Sequence, residues 1–162
     1  MIIAIDPGPK ESAYVVTADD LKPIQFAKSP NDAILFLVRD MHYHYEDVWA
    51  AVVEKVSSYG MKVGADVFET VYWSGRFAEA AIQCKVKVER IPRMDVKMHI
   101  CHDSRAKDGN IMQALIDRFG NKGTKAKPGW FYGFCGDVWQ AYALAVTFYE
   151  THLAELKEEE KS

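Results

Sequence analysis

The order of apolar patterns along the chain predicts an α/β fold, a mixed five-stranded sheet flanked by helices on both faces. Three short strand-like runs come first, separated by turn residues. Two later apolar runs of strand length each follow a stretch of helical period, and the chain closes on helical patterns. An opening meander pairs antiparallel, whereas strands reached through helical crossovers join the sheet in parallel.

Each element has its own reason. MIIAI is the first strand, and Pro7 and Gly8 turn the chain into SAYVVT. A polar break at Asp19 and Asp20 precedes PIQFAK. Asn31 or Asp32 then caps a helix through AILFLVRDMHYH, whose apolar spacing suits a 3.6 period. VWAAVVEKV is too apolar for a sheet with one wet face and reads as a strand buried on both sides. The glycine-marked SSYGMKVG leads into a helix, ADVFETVYWSGRFAEAAIQ, and KVKVERI alternates like a half-buried edge strand.

Beyond Pro92 the pattern is helical and basic, through DSRAKDGNIMQALIDRFG to Gly120. NKGTKAKPGWFYGF, with three lysines and four glycine or proline residues, reads as an exposed, mobile loop. The last helix starts near Asp137. Val138, Ala141, Tyr142, Ala145, Phe148 and Tyr149 form its apolar stripe. An acidic, solvated end follows from about residue 155. With no repeat or linker to split it, the chain of 162 residues reads as one domain.

Composition narrows the class. Hydrophobic residues make up 49% and charged residues 27%, the balance of a soluble globular protein. No apolar stretch reaches the roughly 20 residues that cross a bilayer, and the N-terminus lacks a secretion signal. The expectation is a cytoplasmic protein with no membrane partner. Cys84, Cys101 and Cys135 fit neither a disulfide framework nor a zinc motif and read as reduced thiols in or near the core. The net charge is −3, yet Lys85 to Lys127 hold eleven Lys or Arg against five Asp or Glu. Such a region, which includes Lys122, Lys125 and Lys127, is either a footprint for phosphates or a solvated charged surface.

The chemistry lies in three carboxylates. Asp6 ends the apolar run IIAI, and Glu54 ends WAAVV. Alone, each reads as a strand-end cap or a paired charge. Side by side on neighbouring strands they repel unless a cation lies between them. Asp137, in the first turn of the last helix, suits the helix dipole, but a helix packed on the sheet also aims such a carboxylate at the strand ends. Three converging carboxylates suit Mg²⁺ or Mn²⁺, which prefer hard oxygen ligands.

IDPG, VVEKVSSYGM and GDVWQAYALA together resemble the RuvC-type Holliday junction resolvases of the RNase H-like superfamily. The closest likeness is to small RuvC-like resolvases of bacteriophages and prophages. SYGMKVGADVFET, WSGRF and SRAKDGNIMQALIDRFG extend the likeness over nearly the whole chain. IDPG alone also resembles the start of sugar kinases and actin-like ATPases, but those need two such domains and a longer chain.

The resemblance implies an RNase H-like fold with Asp6, Glu54 and Asp137 as metal ligands and catalytic acids. Lys107 would be the basic residue at the scissile phosphate, Arg105 a phosphate contact, and Tyr59 either the aromatic near the junction centre or a loop anchor. It implies a homodimer, for which Trp73 and Phe77 are candidate interface residues if they are not core. One departure stands out. The family carries another acid three residues into its last motif, where this chain has Gln140; an amide oxygen coordinates without adding charge, and Asp103 is the alternative acid. The implied activity is a Mg²⁺-dependent endonuclease, with Mn²⁺ able to substitute, that resolves Holliday junctions and other branched DNA. The alternatives are an RNA-processing or flap nuclease, a non-catalytic junction-binding protein, and an adaptor with no nucleic-acid role.

Overall fold

The computed structural model describes residues 1–45 and 47–159, with side chains to residue 153. The acidic end expected from about residue 155 therefore lies outside the described side chains, and residues 160–162 outside the described chain.

The meander forms as expected. β1 (Ile2–Asp6), β2 (Glu11–Thr17) and β3 (Pro23–Pro30) pair antiparallel, with Asp6 opposite Ala13 and Ala13 opposite Lys28. β4 (Ala50–Lys55) lies parallel to β1, and β5 (Lys87–Pro92) parallel to β4. The sheet order is β3-β2-β1-β4-β5, so the first and fourth strands are central neighbours. Helix α1 (Asn31–Arg39) is followed by a short α2 (Met41–His44), and α3 (Ala65–Gln83) carries the crossover to β5. Helices α4 (Arg93–Cys101), α5 (Asp108–Phe119) and α6 (Val138–Glu159) complete the chain.

The sheet divides the core in two, and strand alternation decides which residue joins which half. Ile3, Ile5, Ala51 and Val53 pack with α1 and α3, whereas Ile2, Ala4, Ala50 and Val52 pack with α4, α5 and α6. Both central strands are buried on both faces, which is why their sequences show no polar alternation. Asp6 and Glu54 continue the second set, so both carboxylates emerge on the α6 side of the sheet.

The helix expected through AILFLVRDMHYH breaks at Asp40 into α1 and α2, and three further elements differ from expectation. The helical segment beyond Pro92 is two helices: His102 turns left-handed (φ 55°), and the Asp103 carboxylate accepts a hydrogen bond from the Arg105 N–H at 2.9 Å. The loop after Gly120 is exposed at Tyr132 and Gly133 and along its whole lysine-bearing part. There Gly123 bridges Pro128, and the Gly129 N–H bonds the Lys122 carbonyl at 2.9 Å. The two phenylalanines of its aromatic end are core, because burying two phenyl rings outweighs the flexibility that the glycines confer. Phe131 and Phe134 are fully buried, with ring centroids 4.7 and 5.1 Å from Trp139.

The third difference is α6, which is buried nearly all round rather than along one stripe. Trp139, Ala143, Leu144 and Val146 are buried together with the expected Val138, Ala141, Tyr142, Ala145 and Phe148. The sheet covers one side, and α4, α5 and the 130–134 segment cover the other. Tyr142 is sealed inside, donating from its hydroxyl to the Leu21 carbonyl (3.1 Å) and accepting from the Trp130 indole (3.0 Å). Burial pushes its phenol above the ordinary tyrosine value. Among the described residues no helix is long and apolar enough to cross a membrane.

Candidate functional site

The turn after Asp6 is built tightly. Gly8 donates its N–H to Ser12 Oγ (3.0 Å), Ser12 Oγ donates to Asn31 Oδ1 (2.6 Å), and Asn31 Nδ2 donates to the Gly8 carbonyl (2.9 Å). Asn31 thus ties the meander to α1 instead of capping the helix by its side chain. A Cβ on Gly8 would lie 2.3 Å from the Glu11 carbonyl oxygen, so only glycine lets the chain turn this sharply behind the carboxylate. On the neighbouring strand, Ile5 pairs with Val53, which brings Asp6 and Glu54 level. Ser74 Oγ of α3 donates to the Glu54 carbonyl (3.0 Å) and fixes the backbone there.

The acids act on each other. Burial first, then the charges of Glu54, Asp137 and Asp108, pushes the Asp6 carboxyl up to about 8, while Arg93 opposes the shift. The Glu54 carboxyl is also raised, by burial, against the pull of Arg93. Asp137 is the residue just before α6. Its carbonyl accepts the N–H groups of Gln140 and Ala141, and Gly136, left-handed at φ 49°, turns the chain into the helix. Its carboxylate meets Lys28 Nζ at 2.6 Å. Lys28 reaches it from the same cross-strand row as Asp6, through Ala13.

Arg93, the first residue of α4, forks between two acids. Nη1 stands 3.4 Å from Glu54 Oε2, and Nη2 stands 2.6 Å from Asp108 Oδ1. The site thus contains three charged residues that the motifs did not single out, Lys28, Arg93 and Asp108. Asp103 is half-exposed and paired with Arg105 at 3.4 Å, and its charge is not among those acting on Asp6 or Glu54. Gln140 is buried one turn into α6. Lys107 is exposed at the start of α5, with its backbone N–H bonded to Asn110 Oδ1 (2.8 Å), and Arg105 is exposed. Tyr59, left-handed at φ 48°, accepts the Met94 N–H on its hydroxyl at 3.3 Å, which moors the 56–64 loop beside Arg93. Lys122, Lys125 and Lys127 are exposed on the loop after α5.

The donor set fits a hard divalent cation in chemistry: burial disfavours the charged forms of Asp6 and Glu54, the Glu54 charge raises Asp6 further, and a cation among their oxygens would offset both effects. Among the described residues, no three His, Cys, Asp or Glu side chains yet stand close enough together to hold one. The physical reason is visible, since Lys28 draws Asp137 away and Arg93 occupies one oxygen of Glu54. A groove of about 860 Å³ between β5, α4 and α6 includes none of these acids.

The chain matches two solved structures of Thermus thermophilus RuvC. One, RuvC in complex with Holliday junction substrate, superposes with a TM-score of 0.68 at 16% identity, over 94% of this chain and 95% of that one. The other superposes with a TM-score of 0.63 at 19% identity, over 94% and 96%. The protein has the RuvC fold. Comparison with protein-family models and with curated proteins gives no match. The RuvC likeness thus extends over nearly the full length of both chains and accounts for the strand order and the helices that flank the sheet.

Proposed function

We propose that this protein is a divalent-cation-dependent, structure-selective DNA endonuclease that resolves Holliday junctions and other branched DNA. The observation that carries the reading is the pair Asp6 and Glu54, level on adjacent parallel strands of a RuvC fold, with burial and the Glu54 charge both raising the proton affinity of Asp6. Asp6 and Glu54 would hold Mg²⁺, or Mn²⁺ in its place, with Asp137 as the third ligand once it exchanges Lys28 for the ion. Bound there, the ion supplies the positive charge that activates water and stabilises the leaving oxygen in phosphodiester hydrolysis.

The rest of the chemistry belongs to the chain. Lys107 and Arg105, exposed in the turn between α4 and α5, would hold the scissile and adjacent phosphates. Lys122, Lys125 and Lys127 would extend that grip along the backbone, so binding should weaken steeply with salt. Gln140 adds a neutral oxygen where the family carries an acid. Tyr59 would face the junction from the loop it anchors.

A two-fold junction calls for two symmetric cuts, hence a homodimer. The expected interface residues need revision. Phe77 is fully buried and Trp73 packs against the core, so both serve the monomer. The exposed apolar face of α3 is instead Phe68, Val71 and Tyr72, with Met61 and Val63 in the loop before it. Isolated exposed apolar residues are ordinary, but a contiguous group suits an interface between copies.

The test is cleavage of a synthetic four-way junction with Mg²⁺ by the wild type, Asp6→Asn and Glu54→Gln. Loss in both variants with junction binding retained is expected, and equal cutting by all three refutes the mechanism. Flap, single-stranded DNA and RNA:DNA hybrid digested alongside separate a junction enzyme from its relatives. Junction binding without nicking, even in Mn²⁺, identifies a binding protein.

A further inference from the structure

We propose that Arg93 competes with the divalent cation for Glu54, and that Asp108 is the carboxylate to which Arg93 retreats when the cation binds. This rests on the nuclease reading above and adds to it a built-in control of cation affinity. The geometry is a fork with unequal tines. The nitrogen facing Glu54 sits at 3.4 Å, beyond the usual range for a charge-assisted hydrogen bond, while the one facing Asp108 sits at 2.6 Å. The guanidinium can therefore release Glu54 and keep its stronger partner.

The backbone allows little else. Arg93 begins α4 directly after Pro92, and the next N–H is bonded to the Tyr59 hydroxyl, so the side chain pivots from a fixed base. The charges acting on it are Glu54 from β4, Asp108 from α5 and Asp6 from β1, and Lys97, one turn along the same helix, acts on Glu54. Glu54 is largely buried, with 15% of its side chain exposed, and Asp108 is 66% exposed. Moving the guanidinium toward Asp108 thus carries it from the interior of the site toward water. Asp108 is an acid contributed by a different element from Gln140; its charge reaches Asp6 and Glu54, and its one close contact within the site is Arg93.

The experiment measures Mn²⁺ binding to the full chain without DNA, by titration calorimetry or by the loss of free Mn²⁺ resonance. Arg93→Gln should tighten binding by about 10- to 100-fold, the worth of one charge-assisted hydrogen bond no longer displaced. Asp108→Asn should weaken it severalfold in the wild-type background and have little effect in the Arg93→Gln background, since a residue acting through another loses its effect with it. Arg93→Lys, which keeps the charge without the fork, should fall between wild type and Arg93→Gln. Binding by Arg93→Gln that equals or falls below wild type overturns the competition. Equal weakening by Asp108→Asn in both backgrounds overturns the retreat and makes Asp108 a direct ligand. A wild type that neither binds Mn²⁺ nor cuts junctions fails the nuclease reading itself; one that does both beside an unaltered Arg93→Gln fails only this inference.

Discussion

Asp6→Asn should stabilise the protein while destroying its proposed activity. The carboxyl moves from an ordinary value of 3.8 in the unfolded chain to about 8 in the fold, so the native state binds the proton more tightly than the unfolded state does. Stability then falls as pH rises above 3.8, and the loss is complete above about 8. At about 1.4 kcal/mol per pH unit the ceiling is ~6 kcal/mol. Part of it persists in the variant, because Glu54 remains buried and the amide still needs partners; a recovery of about 1–3 kcal/mol at pH 8 is the expected share. For a chain of this length, that raises the melting temperature by roughly 3–10 °C. The assay is thermal unfolding of both proteins in EDTA from pH 5 to pH 8. The two curves should separate as pH rises, with wild type the less stable, and Mg²⁺ should restore wild type but not Asp6→Asn. A variant that melts at or below the wild-type temperature at pH 8 in EDTA refutes the argument that this carboxylate is held against its own charge.

Three further outcomes follow from features of the fold. Phe131→Ala should cost about 3–5 kcal/mol in urea unfolding, because it empties a position wholly enclosed by Phe134, Trp139 and Tyr142. Replacing Lys122, Lys125 and Lys127 together with glutamine should weaken junction binding and reduce the slope of log affinity against log salt by about 2–3; an unaltered slope would remove that loop from the DNA interface. Phe68→Asp combined with Tyr72→Asp should yield a monomer by sedimentation with little change in melting temperature, since both side chains are exposed in the single chain.

Asp6 and Glu54 were legible in the sequence because their signal is local. An apolar strand buried on both faces has no reason to end on a carboxylate, and alternation then sets which face the carboxylate takes. Lys28, Arg93 and Asp108 were not legible, since each is an ordinary charge in its own segment. Only the register of β2 against β3 brings Lys28 to Asp137, and only the split between α4 and α5 turns Asp108 back toward Arg93. That split falls on His102 in a left-handed conformation usually marked by glycine. The buried end of the 121–134 loop was hidden for a related reason. Its glycine and lysine content describes the exposed part, and the two phenylalanines needed a partner, α6, that the chain reaches only later.

Helix α6 brings Asp137 to the acids and fills much of the interior of one half of the molecule. The last acid therefore arrives with the segment that completes the core on that side. A ribosome-bound chain, or one clipped before residue 137, lacks this acid and the hydrophobic mass that holds the sheet together. The proposed activity, cutting DNA, is safest without a half-made active form, and here the route to the proposed centre runs through a finished fold.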